Sequence, residues 1–207
     1  MVTQSVTRKT EILNTLADML AQPQAARITT AALAARIPVS EAALYRHFAS
    51  KAQMFEGLIA EIEASLYGLM DGTLTSGDRG AVKTRRMVTG LLDFACTHRG
   101  KTRVLTGDAL VTEDNRLLNR VNQITDRIQD KMAEAVRHAI MDASLPASTD
   151  PSLLAGVLTH FVLGKWLRFA QSGWQQSPLA DLAAELDWLL AARPTPAGGT
   201  PGSPDHA

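Results

Sequence analysis

Leu117, Val121, Ile124, Ile128, Met132, Val136 and Ile140 recur every three or four residues, keeping one face of a helix apolar for about eight turns. An apolar stripe that long must be covered by an equally long surface, and in a chain of 207 residues only other helices can supply it. Composition agrees: aromatic residues make up 5% of the chain, while Ala, Leu and Arg, all good helix formers, are abundant. The expected fold is all-α, with about nine helices. The long helix is expected to start at Thr112 and to have ended before Pro146.

Start signals place the remaining helices. Asp150-Pro151 and Ser177-Pro178 each join a capping residue to proline at the first helical position, predicting helices near 151–172 and 178–192. Leu153, Leu154, Val157, Leu158, Phe161, Val162, Trp166 and Phe169 in the first, and Leu179, Leu182, Leu186, Trp188, Leu189 and Leu190 in the second, spread over more than one stripe. Helices apolar on several faces need several neighbours, and one neighbour is expected to be the same helix pair of a second subunit. Further helices are expected at 81–97 and 101–110, after a Gly-containing loop at 71–80.

The N-terminal third reads differently. After residues 1–7, expected to be frayed, Ile12, Leu13, Leu16, Met19 and Leu20 mark a helix at about 8–21. Thr29 then caps a short Ala/Leu helix that Pro38 cannot continue. Ser40 caps a second short helix closing at His47-Phe48. Ser50 and Gln53 fit a capping box that opens a longer helix at about 51–70, with Met54, Phe55, Leu58, Ile62, Leu66 and Leu69 inward.

Two short helices joined by a tight turn, the second with small residues on one face, suit a DNA major groove, where bulky side chains would hold the backbone away from the bases. Ala42 and Ala43 permit close approach, Ser40 can donate to a phosphate, and Tyr45, His47 and Lys51 are spaced to place polar tips along one strand. Thr29 and Thr30, at a helix N-terminus, suit a phosphate oxygen. Losing the Thr29 or Tyr45 side chain is expected to weaken DNA binding while leaving helicity intact. The net charge is +0, so attraction to DNA must be local. Residues 1–56 hold Arg8, Lys9, Arg27, Arg36, Arg46 and Lys51 against Glu11, Asp18, Glu41 and Glu56, a weak patch that calls for dimer avidity. A second basic cluster, Arg79, Lys83, Arg85, Arg86, Arg99, Lys101 and Arg103, reads as a solvated helical face.

The run Ile28-Thr29-Thr30 through Val39-Ser40-Glu41-Ala42-Ala43-Leu44-Tyr45-Arg46-His47-Phe48, with Lys51 after it, resembles the TetR family. The resemblance implies a three-helix head at 1–50 and a dimerisation and regulatory body at 51–192, while the Pro/Gly-rich composition of 193–207 reads as a tail too poor in apolar groups to pack. It implies DNA contacts from Thr29, Thr30, Ser40, Ala42, Ala43, Tyr45, Arg46, His47 and Lys51, a palindromic double-stranded site, and a homodimer built on the last two helices. Pro38 departs from the glycine usual in the family's turn, so that turn is expected to differ. SEAALYRHFASKAQMFEGLI, TRVLTGDAL at 102–110, and Arg116-Leu117 with Arg120, Asn122 and Gln123 further resemble the family's nucleoid occlusion factors, over about residues 8–130. That resemblance implies nucleoid association and the tubulin-like division protein FtsZ as a partner. Glu61, Leu69, Thr97 and His98 stand where it would place aromatic, basic or amide side chains.

Other classes find little support. Cys96 is the single cysteine, expected to be a small buried hydrophobe, and His98, His138 and His160 are isolated, with no second His or Cys at helical spacing, so neither metal nor cofactor is expected. No phosphate loop or hydrolase signature occurs, so the chain does not read as an enzyme. No run reaches the roughly 18 apolar residues of a membrane span, and the first residues lack a signal-peptide core, which gives a cytoplasmic expectation with no membrane partner. Trp166, Phe169, Trp174 and Trp188 read as bundle and dimer packing. Two alternatives stay open: a repressor released by a small apolar ligand, for which a cavity of roughly 300 Å³ or more is needed, and a dimeric adaptor independent of DNA.

Overall fold

The computed structural model describes residues 2–23, 28–37, 40–111 and 113–191, residues 2–7 as backbone only. Among them lie nine α-helices and no strand: α1 (Val2–Leu20), α2 (Thr30–Arg36), α3 (Glu41–His47), α4 (Lys51–Thr75), α5 (Gly80–Thr97), α6 (Arg99–Leu105), α7 (Asn115–Met141), α8 (Pro151–Gln171) and α9 (Leu182–Leu190). The all-α expectation holds among the described residues. A short 3-10 turn, Asp108–Leu110, follows Gly107, whose φ of +82° ends the helix expected over 101–110.

Several boundaries move for identifiable reasons. α1 begins at Val2, not residue 8, because residues 2–7 carry no apolar stripe from which periodicity could place them. The expected loop at 71–80 shrinks: α4 runs through Gly72 because Met70 and Leu74 extend its buried stripe, Met70 taking the inward place expected of Leu69. α7 starts at Asn115, capped by the Asp114 carboxylate on the Arg116 N–H, and Thr112 lies outside the described residues. The helix expected from Pro178 begins only at Leu182, since Asp181 adopts φ +57° and separates the turn at 178–181 from α9. The capping box is displaced: Ser50 Oγ accepts from the Gln53 N–H at 3.2 Å, but Gln53 Oε1 accepts from the Ala49 N–H at 2.8 Å.

The long stripe of α7 is covered by α4, α5 and α8, all its members being buried except Ile140, which is partly so. Trp166 of α8 is buried, and its indole N–H donates to the Leu91 carbonyl at 2.9 Å. Leu158, Val162 and Trp166 line this inner face, each side chain contributing about 1.5–3 kcal/mol by leaving water. The outer face exposes Leu153 and Val157, next to exposed Trp188 of α9. With a mean hydropathy of 1.3 over its most apolar window, α8 is long and apolar enough to cross a membrane by length and composition. The apolar run itself is not continuous, as expected: Thr159, His160, Lys165 and Arg168 interrupt it while its average stays apolar.

α5 meets the end of α7 backbone to backbone. A Cβ on Gly80 would stand 2.0 Å from the Ala139 nitrogen, and the Gly80 N–H donates to Asp142 Oδ2 at 2.6 Å. Hydrogen bonds from Ser144 and Gly80 hold the Asp142 carboxyl below the usual carboxylate range. The second basic cluster is no free face: Lys83 is buried with Nζ on the Leu74 carbonyl, Arg103 is buried, and Arg85, Arg86 and Lys101 pair with Asp187, Asp78 and Glu61. We predict that Gly80→Ala costs about 1–3 kcal/mol by overpacking, read as a lower midpoint in urea unfolding with an unchanged m-value.

Candidate nucleic-acid interface

The head is assembled on α1. Ile12, Leu13, Leu16 and Leu20 bury against Ile28, Leu33 and Ala34 beside α2 and against Leu44 and Phe48 beside α3. Lys9 lies over the Phe48 ring at 5.5 Å. Because Leu44 and Phe48 face inward, four residues apart, the opposite side of α3 must face solvent. Glu41, Ala42, Tyr45 and Arg46 are exposed there, while Ala43 and His47 are half-buried. Ala42 and Ala43 therefore leave a low ridge, as the spacing suggested. Pro38 and Val39, and with them the expected departure in the turn, lie outside the described residues.

Polar side chains pin the two short helices together. Thr29 Oγ1 accepts from the Ala32 N–H at 3.1 Å and Ser40 Oγ from the Ala43 N–H at 3.3 Å, so both residues cap as expected. Capping by a hydroxyl oxygen leaves its proton for a phosphate oxygen. Thr29 is not separable from helicity, however: losing this cap costs about 0.5–2 kcal/mol, so Thr29→Ala would weaken α2 itself. Thr30 Oγ1 donates to Glu41 Oε1 and accepts from the Tyr45 hydroxyl at 3.4 Å. The Thr30 proton is thus engaged within the protein, and Tyr45 is steered toward the start of α2.

Two residues sit differently from the sequence expectation. Lys51 Nζ pairs with Glu113 Oε1 at 2.5 Å and lies over the Phe55 ring at 5.6 Å, so a loop of the body holds its charge. Glu41, counted from sequence only among the acidic residues opposing the basic patch, lies on the exposed face one turn before Tyr45. Its carboxylate can accept from cytosine N4 in a major groove and repels phosphates. The signal that could have found it is its place four residues before Tyr45, on one helical face.

Among the described residues no cluster of His, Cys, Asp and Glu could hold a metal ion. Cys96 is half-buried, and burial pushes its thiol up, so the reactive thiolate is disfavoured. Each of the four departures has a neighbour in the fold. Glu61 pairs with Lys101 at 3.0 Å, His98 stacks on Phe94 at 4.5 Å with Thr97 Oγ1 2.7 Å from its Nδ1, and Leu69 packs over Gly90. Thr97, His98 and Lys101 help line a polar groove of about 510 Å³ against α1.

A family model described as bacterial regulatory proteins, tetR family, matches residues 12–58, and a second, SlmA-like, described as a tetracyclin repressor-like C-terminal domain, matches 79–193. The chain belongs to the SlmA-like branch of the TetR family. The nucleoid occlusion factor SlmA of Cronobacter sakazakii is 42% identical over 185 residues, spanning 89% of this chain and 93% of that one. SlmA of Aliivibrio fischeri is 42% identical over 172 residues, 83% of this chain and 88% of its own. The transcriptional regulator FadR from Bacillus subtilis, solved with stearoyl-CoA, shares the fold with a TM-score of 0.74 at 12% identity, over 89% of this chain and 98% of FadR. TetR-family proteins bind DNA and act as dimers.

Within this SlmA-like chain, the Lys51–Glu113 pair sets a measurable balance. Glu113→Gln should free one cation per head, tightening binding to random-sequence duplex and steepening the log–log salt dependence by about 0.9 per freed contact. Fluorescence anisotropy across a salt series checks this, and an unchanged slope would show that Glu113 does not restrain Lys51.

Proposed function

We propose that this chain is a nucleoid occlusion factor: a homodimer that binds palindromic chromosomal sites through α3 and restrains assembly of the division protein FtsZ through its body. The supporting observation is where the identity lies. A regulator with the same fold shares only 12% of its residues, whereas the SlmA proteins share 42% over spans that reach well into the body. Similarity confined to the head would support DNA binding alone; similarity through the body supports a shared partner as well.

In this reading residues 1–50 are the DNA-binding head and 51–192 the body, with 193–207 as a tail. Arg46, Tyr45 and His47 reach the DNA with the hydroxyls of Ser40 and Thr29, Ala42 and Ala43 allow the approach, and Thr30 and Lys51 join once released from Glu41 and Glu113. The outer face of α8 and α9 forms the subunit contact, since Leu153, Val157 and Trp188 would otherwise stay in water. Paired recognition helices then meet successive major grooves about 34 Å apart. The protein acts by binding and not as an enzyme, in the cytoplasm and on the nucleoid.

The ligand-released repressor has less support. The larger hollows, about 510 Å³ against α1 and about 430 Å³ beside Leu153, Val157 and Trp188, are a mainly polar groove and an open cleft on the outer face, while the apolar cleft between α6, α7 and α8, lined by Leu105, Leu118, Val121, Leu163, Trp166 and Leu167, measures about 260 Å³, below the roughly 300–1,000 Å³ usual for small-molecule sites. The test is sedimentation of FtsZ polymers with the full-length protein, with and without a duplex selected by it. We expect less pelleted polymer, most with the duplex present. Unchanged pellets in both arms, together with loss of DNA affinity on adding an apolar metabolite, would favour the repressor.

A further inference from the structure

The last carbonyls of a helix have no partner within it, and just past the end of α1 two carbonyls find partners on elements distant in sequence. The Trp174 indole N–H donates to the Ala21 carbonyl at 2.6 Å, a contact between residues 153 apart in sequence. Arg103 Nη2 donates to the Pro23 carbonyl at 3.3 Å, and its guanidinium lies 5.1 Å from the Trp174 ring. Phe169, in the last turns of α8, meets Trp174 edge-on at 5.1 Å.

The backbone there is bent to make the contact. Gly173 has φ +62° and Trp174 φ +70°, a region that a bulky side chain rarely enters unless its surroundings impose it. α6 presses on the same stretch of α1, for a Cβ on Gly100 would stand 1.9 Å from the Ala17 oxygen. The end of α1 is therefore held by hydrogen bonds and by backbone contact. Trp174 follows directly on α8, the helix whose outer face exposes Leu153 and Val157.

We infer that Trp174, with Arg103, is a positioning latch that fixes the angle of the head on α8 and thereby the separation of the two recognition helices in the dimer. The inference rests on the DNA-binding homodimer proposed above. A latch of this kind leaves the DNA-contacting surface of each head untouched. It governs only whether two heads fit one duplex at once.

The test compares full-length wild type with Trp174→Phe, which keeps an aromatic ring and removes the donor. Three probes are used: a palindrome selected in vitro by the wild type, the same palindrome with two base pairs inserted at its centre, and a single half-site. The wild type should strongly prefer the original spacing. In Trp174→Phe that preference should fall by about tenfold, the scale of one hydrogen bond, with half-site affinity and dimer mass unchanged. Arg103→Gln should shift the preference the same way, and it carries the test if Trp174→Phe does not fold. Wild-type spacing preference in a folded variant would overturn the latch. So would an equal loss on half-site and palindrome, which would assign Trp174 to the stability of the head. Failure of the wild type itself to select any palindrome would instead reject the underlying DNA-binding reading.

Discussion

The structure turns on α8 being apolar on two sides. Its inner face closes the core against α5 and α7, with Leu158, Val162 and Trp166 buried and the Trp166 N–H bonded to Leu91. Its outer face leaves Leu153 69% exposed, and Trp188 of α9 is 65% exposed beside it. Large exposed apolar side chains clustered on one face mark a contact surface. In the proposed dimer a second copy of the same pair would satisfy both subunits by one symmetry operation, since a two-fold interface brings the same patch together twice. The proposed spacing of the two heads on DNA depends on that face.

At the other end of the molecule the chemistry is local and modest. The chain carries no net charge, and its head opposes six basic side chains with four acidic ones. Glu41 lies on the exposed side of the recognition helix, and Lys51 is drawn away by Glu113. One head of this kind should grip phosphates weakly, so occupancy depends on two heads engaging together, where the second contact is intramolecular. Rigidity then matters more than charge. One continuous core joins head and body, from Ile12 to Leu190, and the end of α1 is held by Trp174, Arg103 and Gly100.

Much of this was legible in the sequence. The caps at Thr29, Ser40 and Asp150, the inward Leu44 and Phe48, and the stripe of α7 all follow from local rules, because each depends on residues within one or two turns. What escaped depended on distance. Nothing near Lys51 announces Glu113, and nothing near Trp174 announces Ala21; these pairs form only once the helices pack. The same holds for the basic cluster on α5 and α6, read as solvated until Lys83 and Arg103 proved buried. Helix ends were missed where a residue takes a left-handed conformation, as Asp181 does, or where a glycine is tolerated within a helix, as Gly72 is.

The central claim is that two recognition helices are held one duplex repeat apart by the subunit contact on α8 and α9. Spin labels on Arg46→Cys in a Cys96→Ser background would measure that separation by pulsed electron spin resonance in the absence of DNA. The account predicts a single narrow distribution centred at about 34 Å, widened by the label arms. No dipolar signal between subunits, or a broad distribution far from one helical repeat, would contradict it.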